Sequence, residues 1–317
     1  MTSIIFMGTP EFAVPVLDGL VDAGYDVQLV ITQPDRKVGR KQVLQQTPVK
    51  EAAVRHNIKV LQPEKLSGSP ELDEAMALNA DLIVTAAYGQ FLPTKFLKSV
   101  KITAVNVHGS LLPKYRGGAP IQYSIINGDH KTGVTIIQMV KKMDAGVMYA
   151  QQSISLTRDD DTGTVFQRLS PVGRDLLLAT LPKIIDGTAV GTQQPEDEVT
   201  FSPNISKAQE HLDFTLNARQ IDQWVRGLRP HVGGWVDLGG KRTKLWAVTP
   251  LDEGTDQTPG TLIRSDKHEF VLAAGDGTVL SIDELQPAGK AKQDITQFMN
   301  GQGRKFQTGD QVIIDGE

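Results

Sequence analysis

The chain has no cysteine, which excludes a disulfide framework, a thiolate nucleophile and a cysteine-held metal. Any acyl chemistry must therefore use other groups. Its six histidines show no H-E-x-x-H or comparable ligand spacing, so no metal is expected. No stretch approaches the roughly 18 uninterrupted apolar residues of a membrane helix. The start, "MTSIIFMGTPEF", lacks a basic region followed by a long apolar one, so a cytoplasmic protein with no membrane partner is expected. A basic excess is missing too. The formal charge of −4 argues against a wholesale nucleic-acid binder and leaves room only for a local basic patch.

What is present fits an α/β protein. Apolar runs at 3–8, 27–32, 58–61, 81–87, 102–107 and 133–140 are separated by helix-like segments. Short β-branched runs of this kind indicate parallel strands buried on both faces, hence a doubly wound sheet. Pro10 opens one candidate helix, with Gly24 as its stop, and Pro120 opens another. A long helix over 164–187 contains Pro171, where a kink or a split is expected. At 317 residues the chain exceeds the roughly 250 to 300 that one core fills, so two domains are expected. The boundaries follow the pattern: an α/β domain over 1–187, a polar, proline-containing linker over 188–205, and a smaller domain over 206–317. The last has one helix near 217–228 and short strands with glycine-rich turns, as in a small antiparallel barrel.

The chemistry concentrates in "VNVHGSLLPKYRGGAP", residues 105–120. Asn106 and His108 are two apart in a strand, so they share one face at its carboxyl end, where open parallel sheets bind ligands. The same pair also suits a structural asparagine beside a hydrogen-bonded core histidine. Gly109, Gly117, Gly118, Pro113 and Pro120 then demand a tight loop. Asp144, after the 133–140 strand, reaches the edge of His108 if the two strands are neighbours; a plain turn is the alternative. "HGSLL" is not a G-x-S-x-G elbow, so Ser110 is read as a loop residue rather than a nucleophile. "MGTPEFA" lacks G-x-G-x-x-G, so a dinucleotide is weakly supported. Between Gln33 and Lys50 lie Arg36, Lys37, Arg40 and Lys41, which with Lys50 face a single acid, Asp35. This reads as a surface loop, either a solvated charged face or a phosphate contact.

Together, "FMGTPEFAVPVL", "AYGQFLP" (87–93), "NVHGSLLPKYRGGAPIQ" (106–122), "GVTIIQM" (133–139) and "MDAG" (143–146) resemble the 10-formyltetrahydrofolate-dependent formyltransferases. "SKAQEHLDF" (206–214) and "LQPAGKAKQD" (285–294) extend the resemblance to the branch that acts on methionyl-tRNA. It implies a Rossmann-like catalytic domain, a β-barrel (OB-like) second domain that helps hold tRNA, and a monomer. It implies that the formyl group of 10-formyltetrahydrofolate goes to the α-amino group of methionine on initiator tRNA. Asn106 would then donate to the oxyanion and His108 would donate to it or relay the amine proton. Asp144 would favour the imidazolium and fix its orientation. Folate binding is carried onto Ser110, Leu111, Leu112, Pro113, Gln90, Phe91 and Leu92, and tRNA contact onto Arg36, Lys37, Arg40 and Lys41. The rival readings are a related formyltransferase acting on an amino-sugar nucleotide or glycinamide ribonucleotide, and a non-catalytic folate or tRNA binder. Binding alone needs no such trio as Asn106, His108 and Asp144. Residues 205–317 hold 13 basic and 16 acidic residues, so tRNA contacts there must come from local clusters such as Lys241–Arg242–Lys244 or Lys290/Lys292.

Overall fold

A computed structural model describes residues 1–39 and 42–314. Two compact units emerge: Met1–Pro120 with Lys131–Ser155 and Phe166–Pro203, and Ile121–His130 with Leu156–Val165 and the chain from Asn204 onward. Among the described residues no helix is long and apolar enough to cross a membrane.

The strands of the first unit are β1 (Ser3–Gly8), β2 (Asp26–Ile31), β3 (Arg36–Val38), β4 (Val43–Gln45), β5 (Val60–Leu61), β6 (Leu82–Ala86), β7 (Thr103–His108), β8 (Lys131–Gln138) and β9 (Met148–Ser155). The main sheet runs β5-β2-β1-β6-β7-β8-β9, and β3 pairs with β4 in a separate hairpin. Pairing is parallel from β5 to β7, then antiparallel for β7–β8 and β8–β9. The run at 133–140 therefore forms an antiparallel strand, not the parallel one its composition suggests. A strand buried on both faces reads the same in either direction. β9 has no buried residue and no continuous apolar run to reveal it.

In β1, Ile5 and Met7 join Leu29, Ile31, Ile83, Leu72 and Phe96 in one core cluster. Ile4 and Phe6 point to the other face and are equally buried. Each such side chain contributes roughly 1.5–3 kcal/mol relative to exposure. The helices up to this point in the chain are α1 (Val14–Asp22), α2 (Pro48–Arg55), α3 (Pro70–Ala77), α4 (Thr94–Leu97), α5 (Pro120–Ile126) and α6 (Thr162–Ile185), of which α5 from Ile121 and α6 up to Val165 belong to the second unit. α2 and α3 start the same way: Thr47 and Ser69 accept from Lys50 N–H and Leu72 N–H, and a proline follows each cap. Pro10 opens a 3-10 turn, Glu11–Ala13, ahead of α1.

α6 is neither split nor ended by Pro171. Side contacts hold it through the missing backbone donor. The Phe166 and Phe12 rings pack edge to face with centroids 5.9 Å apart, and Ser170 Oγ donates to the Phe12 carbonyl at 2.7 Å. Gly173 lies so close to β7 that a Cβ there would be 2.8 Å from Val107 Cγ1. Val107 thus backs onto α6, and Asn106 and His108 face the other way.

At the amino edge of β6, Asp81 accepts from Ser3 N–H at 2.8 Å and Ser3 Oγ at 2.9 Å. These bonds, the backbone one first, hold its carboxyl below the ordinary aspartate value. A lowered folded-state value stabilises the fold above the unfolded value, and that contribution is lost as pH falls toward the lowered one. Stability measured by urea unfolding is expected to decline through this acid window, and Asp81→Asn to flatten the decline.

In the second unit, α7 (Ala218–Leu228) opens with a capping box, Asn217 and Gln220, and buries Ala218, Ile221, Val225 and Leu228 at helical spacing. The strands β10 (Gly234–Asp237), β11 (Arg242–Gly254), β12 (Leu262–Ser265), β13 (Phe270–Ala273) and β14 (Thr278–Pro287) form an antiparallel sheet in the order β10-β11-β14-β13-β12. A short β15 (Gln293–Asp294) pairs with β14 and leads into α8 (Ile295–Met299). Residues 310–313 reach both edges: Gly239 N–H donates to Val312 O beside β10, and Leu262 N–H to Asp310 O in β12. The segment thus gives backbone partners next to both outer strands of the sheet.

Candidate active site

Asn106 and His108 end β7 between two neighbours. Asn106 is opposite Thr85 of β6 and Ile137 of β8, and His108 is opposite Thr135 of β8. The Thr85 hydroxyl donates to Asn106 Oδ1 at 2.8 Å. With the oxygen accepting, the amide presents its N–H groups, and the half-buried side chain interrupts the apolar run of Ala104, Val105 and Val107.

His108 is only 5% exposed. Its Nε2 is 3.0 Å from the Tyr115 carbonyl oxygen, which can only accept, so Nε2 carries the proton. Nδ1 is then the proton acceptor of the neutral ring. It lies 3.7 Å from Asp144 Oδ1, while Oδ2 of the same carboxylate accepts from Gly117 N–H at 2.9 Å. His108 and Asp144, which the sequence puts at one strand end, therefore approach each other, and Asn106 lies two residues before His108 on the same strand. The carboxylate is close enough to balance an imidazolium charge. Asp144 itself takes a left-handed backbone, φ 48°, a conformation that costs an ordinary residue energy and that the turn around it maintains.

The loop between His108 and α5 is built from its own hydrogen bonds. Ser110 is fully buried and donates to the Lys114 carbonyl at 2.7 Å, which leaves its hydroxyl no part in nucleophilic chemistry. Thr135 Oγ1 donates to the Ser110 carbonyl at 2.7 Å and accepts from Leu112 N–H and Gln151 Nε2. Leu112 and Pro113 are buried, and Leu111 packs on Gly133 of β8, where a Cβ would be 2.5 Å from Leu111 Cδ2. At the end of β6, Leu92 is buried in the core and Phe91 is 59% exposed. Gln90 ties the 63–66 loop to this edge: its Oε1 accepts from Leu66 N–H at 2.8 Å and its Nε2 donates to Pro63 O at 3.2 Å. The burial of Tyr88 pushes its phenol up to about 12.

The basic loop after β2 carries the exposed β3–β4 hairpin, a short-paired element rather than a plain loop. Arg36 is engaged by Glu64 through two contacts of 3.1 and 2.6 Å, and Lys50 is paired with Asp35 at 2.5 Å. Lys37 is exposed. Arg40 and Lys41 lie outside the described residues. Val38, Val43 and Leu44 are exposed on the same hairpin.

The sequence motifs did not point to the stretch 194–202, which folds over the site. Gln194 Nε2 donates to the Asp144 and Gly146 carbonyls, each at 2.8 Å, and its Oε1 accepts from Arg116 Nε at 2.9 Å. Arg116 is fully buried and also reaches Glu196, whose carboxyl is held low first by Lys142 and then by this guanidinium. Such ties have no periodicity or motif. Only the polar residues of an apparently free segment could have hinted at them. Among the described residues no group of three or more His, Asp or Glu side chains is placed to hold a metal ion.

A buried histidine, a carboxylate and an amide at the carboxyl end of a mostly parallel sheet suit transfer of a carbonyl-bearing group. The chain belongs to the formyl transferase family: the family model described as formyl transferase matches residues 1–181, and the one described as formyl transferase, C-terminal domain, matches 204–303. Among individual proteins, it is similar to the methionyl-tRNA formyltransferase of Lacticaseibacillus casei, with 66% identity covering 99% of both chains. It is 62% identical to the enzyme of the same name from Lactiplantibacillus plantarum, again covering 99% of both. The N-formyltransferase of Helicobacter canadensis, solved with folinic acid and dTDP-3-aminofucose, shares the fold at a TM-score of 0.67 and 18% identity, covering 90% of this chain and all of that one.

Proposed function

We propose that the protein transfers the formyl group of 10-formyltetrahydrofolate to the α-amino group of methionine esterified to initiator tRNA, as a monomer in the cytoplasm. The observation that carries the chemistry is the approach of His108 Nδ1 to Asp144 beside the Asn106 amide. The identity of the acceptor rests on full-length similarity to proteins named for it.

The free amine attacks the formyl carbon, a new C–N bond forms, and the carbonyl oxygen becomes an oxyanion. Asn106 donates to that oxyanion, which is worth most where water is excluded. His108 takes the amine proton on Nδ1, since Nε2 is already committed to Tyr115. Asp144 balances the imidazolium while it lasts. The C–N10 bond then breaks, and His108 returns the proton to the departing folate nitrogen. Leu111 of the loop and Gln90 and Phe91 at the strand end offer the surface for the folate, and the buried Ser110, Leu112, Pro113 and Leu92 back that wall rather than touch the ring, which needs apolar surface and a few backbone donors.

Residues 1–187 carry the reaction, 188–205 connect the two parts, and 206–317 help hold tRNA. Basic groups there sit against aromatic faces, with Arg242 at 4.3 Å over Trp235 and Lys244 and Lys292 at 5.5 and 5.7 Å over Trp246. Flat faces beside cations suit unpaired bases and phosphates. Arg36, Lys37, Arg40 and Lys41 contact acceptor-end phosphates. Lys37→Ala is expected to leave kcat/KM for the folate unchanged and to lower the slope of log kcat/KM for Met-tRNA against log salt by about 0.7–0.9, one phosphate contact. Arg36→Ala is expected to do less, because Glu64 already offsets its charge. An unchanged slope in Lys37→Ala would remove the hairpin from the tRNA contact. No transfer to Met-tRNA at any salt would remove the proposed acceptor.

A further inference from the structure

The stretch 194–202, which has the composition of a linker, touches both halves of the proton-handling pair. On the His108 side, the ties converge on the backbone of Tyr115 and Arg116. Tyr115 N–H donates to Thr200 Oγ1 at 2.9 Å, and Arg116 N–H donates to Thr200 O at 2.9 Å. Ser202 N–H donates to Arg116 O at 2.8 Å, and Ser202 Oγ donates to the Tyr115 carbonyl at 3.1 Å. That carbonyl is the one that accepts His108 Nε2–H. Tyr115 has a left-handed backbone, φ 65°, which an ordinary residue keeps only where its surroundings demand it. Ser202 is fully buried, and its backbone lies against Gly117, where a Cβ would be 2.5 Å from Ser202 O. On the Asp144 side, Gln194 holds the Asp144 and Gly146 carbonyls.

We propose that Ser202, supported by Thr200, is a positioning residue that selects the Nε2–H tautomer of His108 by holding the Tyr115 carbonyl on the ring, so that Nδ1 faces Asp144 and the reacting amine. The inference rests on the reading of His108 as the proton carrier given above. A carbonyl oxygen has two acceptor sites. Ser202 fills one and thereby aims the other at Nε2. Without the Oγ, the left-handed Tyr115 unit loses one of its anchors and the carbonyl can turn away. The neutral ring is then free to carry its proton on Nδ1, where it cannot take another. This is the role a second hydrogen-bond partner plays for any histidine whose two nitrogens have different tasks.

The test uses the full-length protein labelled at histidine, with ring-nitrogen NMR read beside steady-state transfer. His108→Asn identifies the His108 signals. In the unmodified protein they should show protonated Nε2 and unprotonated Nδ1. Ser202→Ala is expected to mix in the Nδ1–H tautomer and to lower kcat roughly tenfold, the worth of one ordinary hydrogen bond, with KM for both substrates unchanged. Thr200→Val should change the same two readouts in the same direction. An Nε2–H ring and full kcat in Ser202→Ala overturn the inference. So does a loss of kcat that accompanies lower thermal stability with the tautomer unaltered. If His108→Ala keeps full turnover, the proton-carrier reading fails, whatever Ser202 does. If His108→Ala is inactive while Ser202→Ala matches the unmodified protein, only the tautomer inference fails.

Discussion

Replacing Asn106 or His108 with alanine is expected to lower kcat for formyl transfer by roughly a hundred- to a thousandfold, the loss that follows removal of one oxyanion donor. The two variants should differ in detail. Asn106→Ala removes the amide N–H groups that the Thr85 hydroxyl orients, so it acts on the oxyanion, and the ring of His108 keeps its contact with Tyr115. His108→Ala removes the proposed proton carrier. A small amine added to the assay should partly restore His108→Ala, because it can take up the proton, and should do nothing for Asn106→Ala. Asn106→Ala should reduce thermal stability little, whereas His108→Ala empties a buried position and removes a donor to the Tyr115 carbonyl, so about 1–3 kcal/mol of stability should be lost with it. Val107, between them, packs on Gly173 and holds the strand from its other face. Near-normal turnover in either variant would falsify the assignment of that residue.

The second large effect is expected at a glycine that touches no substrate. A Cβ on Gly146 would lie 1.8 Å from the Gln138 carbonyl oxygen, far inside any real contact. The obstacle is backbone of β8, which is anchored on both sides by β7 and β9 and cannot give way. In Gly146→Ala the turn that carries Asp144 must therefore move, and about an ångström of displacement is enough to break a 2.9 Å bond to Gly117 and to spoil a 3.7 Å approach to His108. Misplacement on that scale costs on the order of a hundredfold in rate. Rate measurements on Gly146→Ala should show this fall even though Asn106, His108 and Asp144 are all intact. Gly187→Ala is the fitting comparison. It has a positive φ but open space around it, so some stability should be lost and kcat should not. Equal kcat in the two variants would show that the 143–147 turn does not set the site.

The parts of the molecule that the sequence revealed are those with a local physical signature. β1 and β6 are fully buried apolar runs, Pro120 opens α5, and the helix expected near 217–228 is α7. Asn106 and His108 stood out because a polar pair interrupted such a run. Asp144 required one further step, that β7 and β8 are neighbours, and the register shows that they are. The direction of β8 was not legible, because burial on both faces erases the alternation that marks an antiparallel strand. β9 was not legible for the opposite reason, having too little apolar character. The uninterrupted α6 shows tertiary contacts at Phe12 and Val107 outweighing the helix-breaking tendency of Pro171. The stretch from Gln194 to Ser202 was hidden most completely. Its residues act through single hydrogen bonds to peptide groups some 50 to 87 positions away, and no periodicity records such bonds.

Formyl transfer of the proposed kind needs the donor, the acceptor and the trio acting together. One measurement addresses all of them: formyl transfer from 10-formyltetrahydrofolate by the full-length protein, offered methionyl initiator tRNA and an amino-sugar nucleotide in parallel, with His108→Ala as the control. The account predicts formylated methionyl-tRNA, little or no formylated sugar, and loss of the product in the control. Formylation of the sugar nucleotide in preference to methionyl-tRNA, or equal product from His108→Ala, would contradict it.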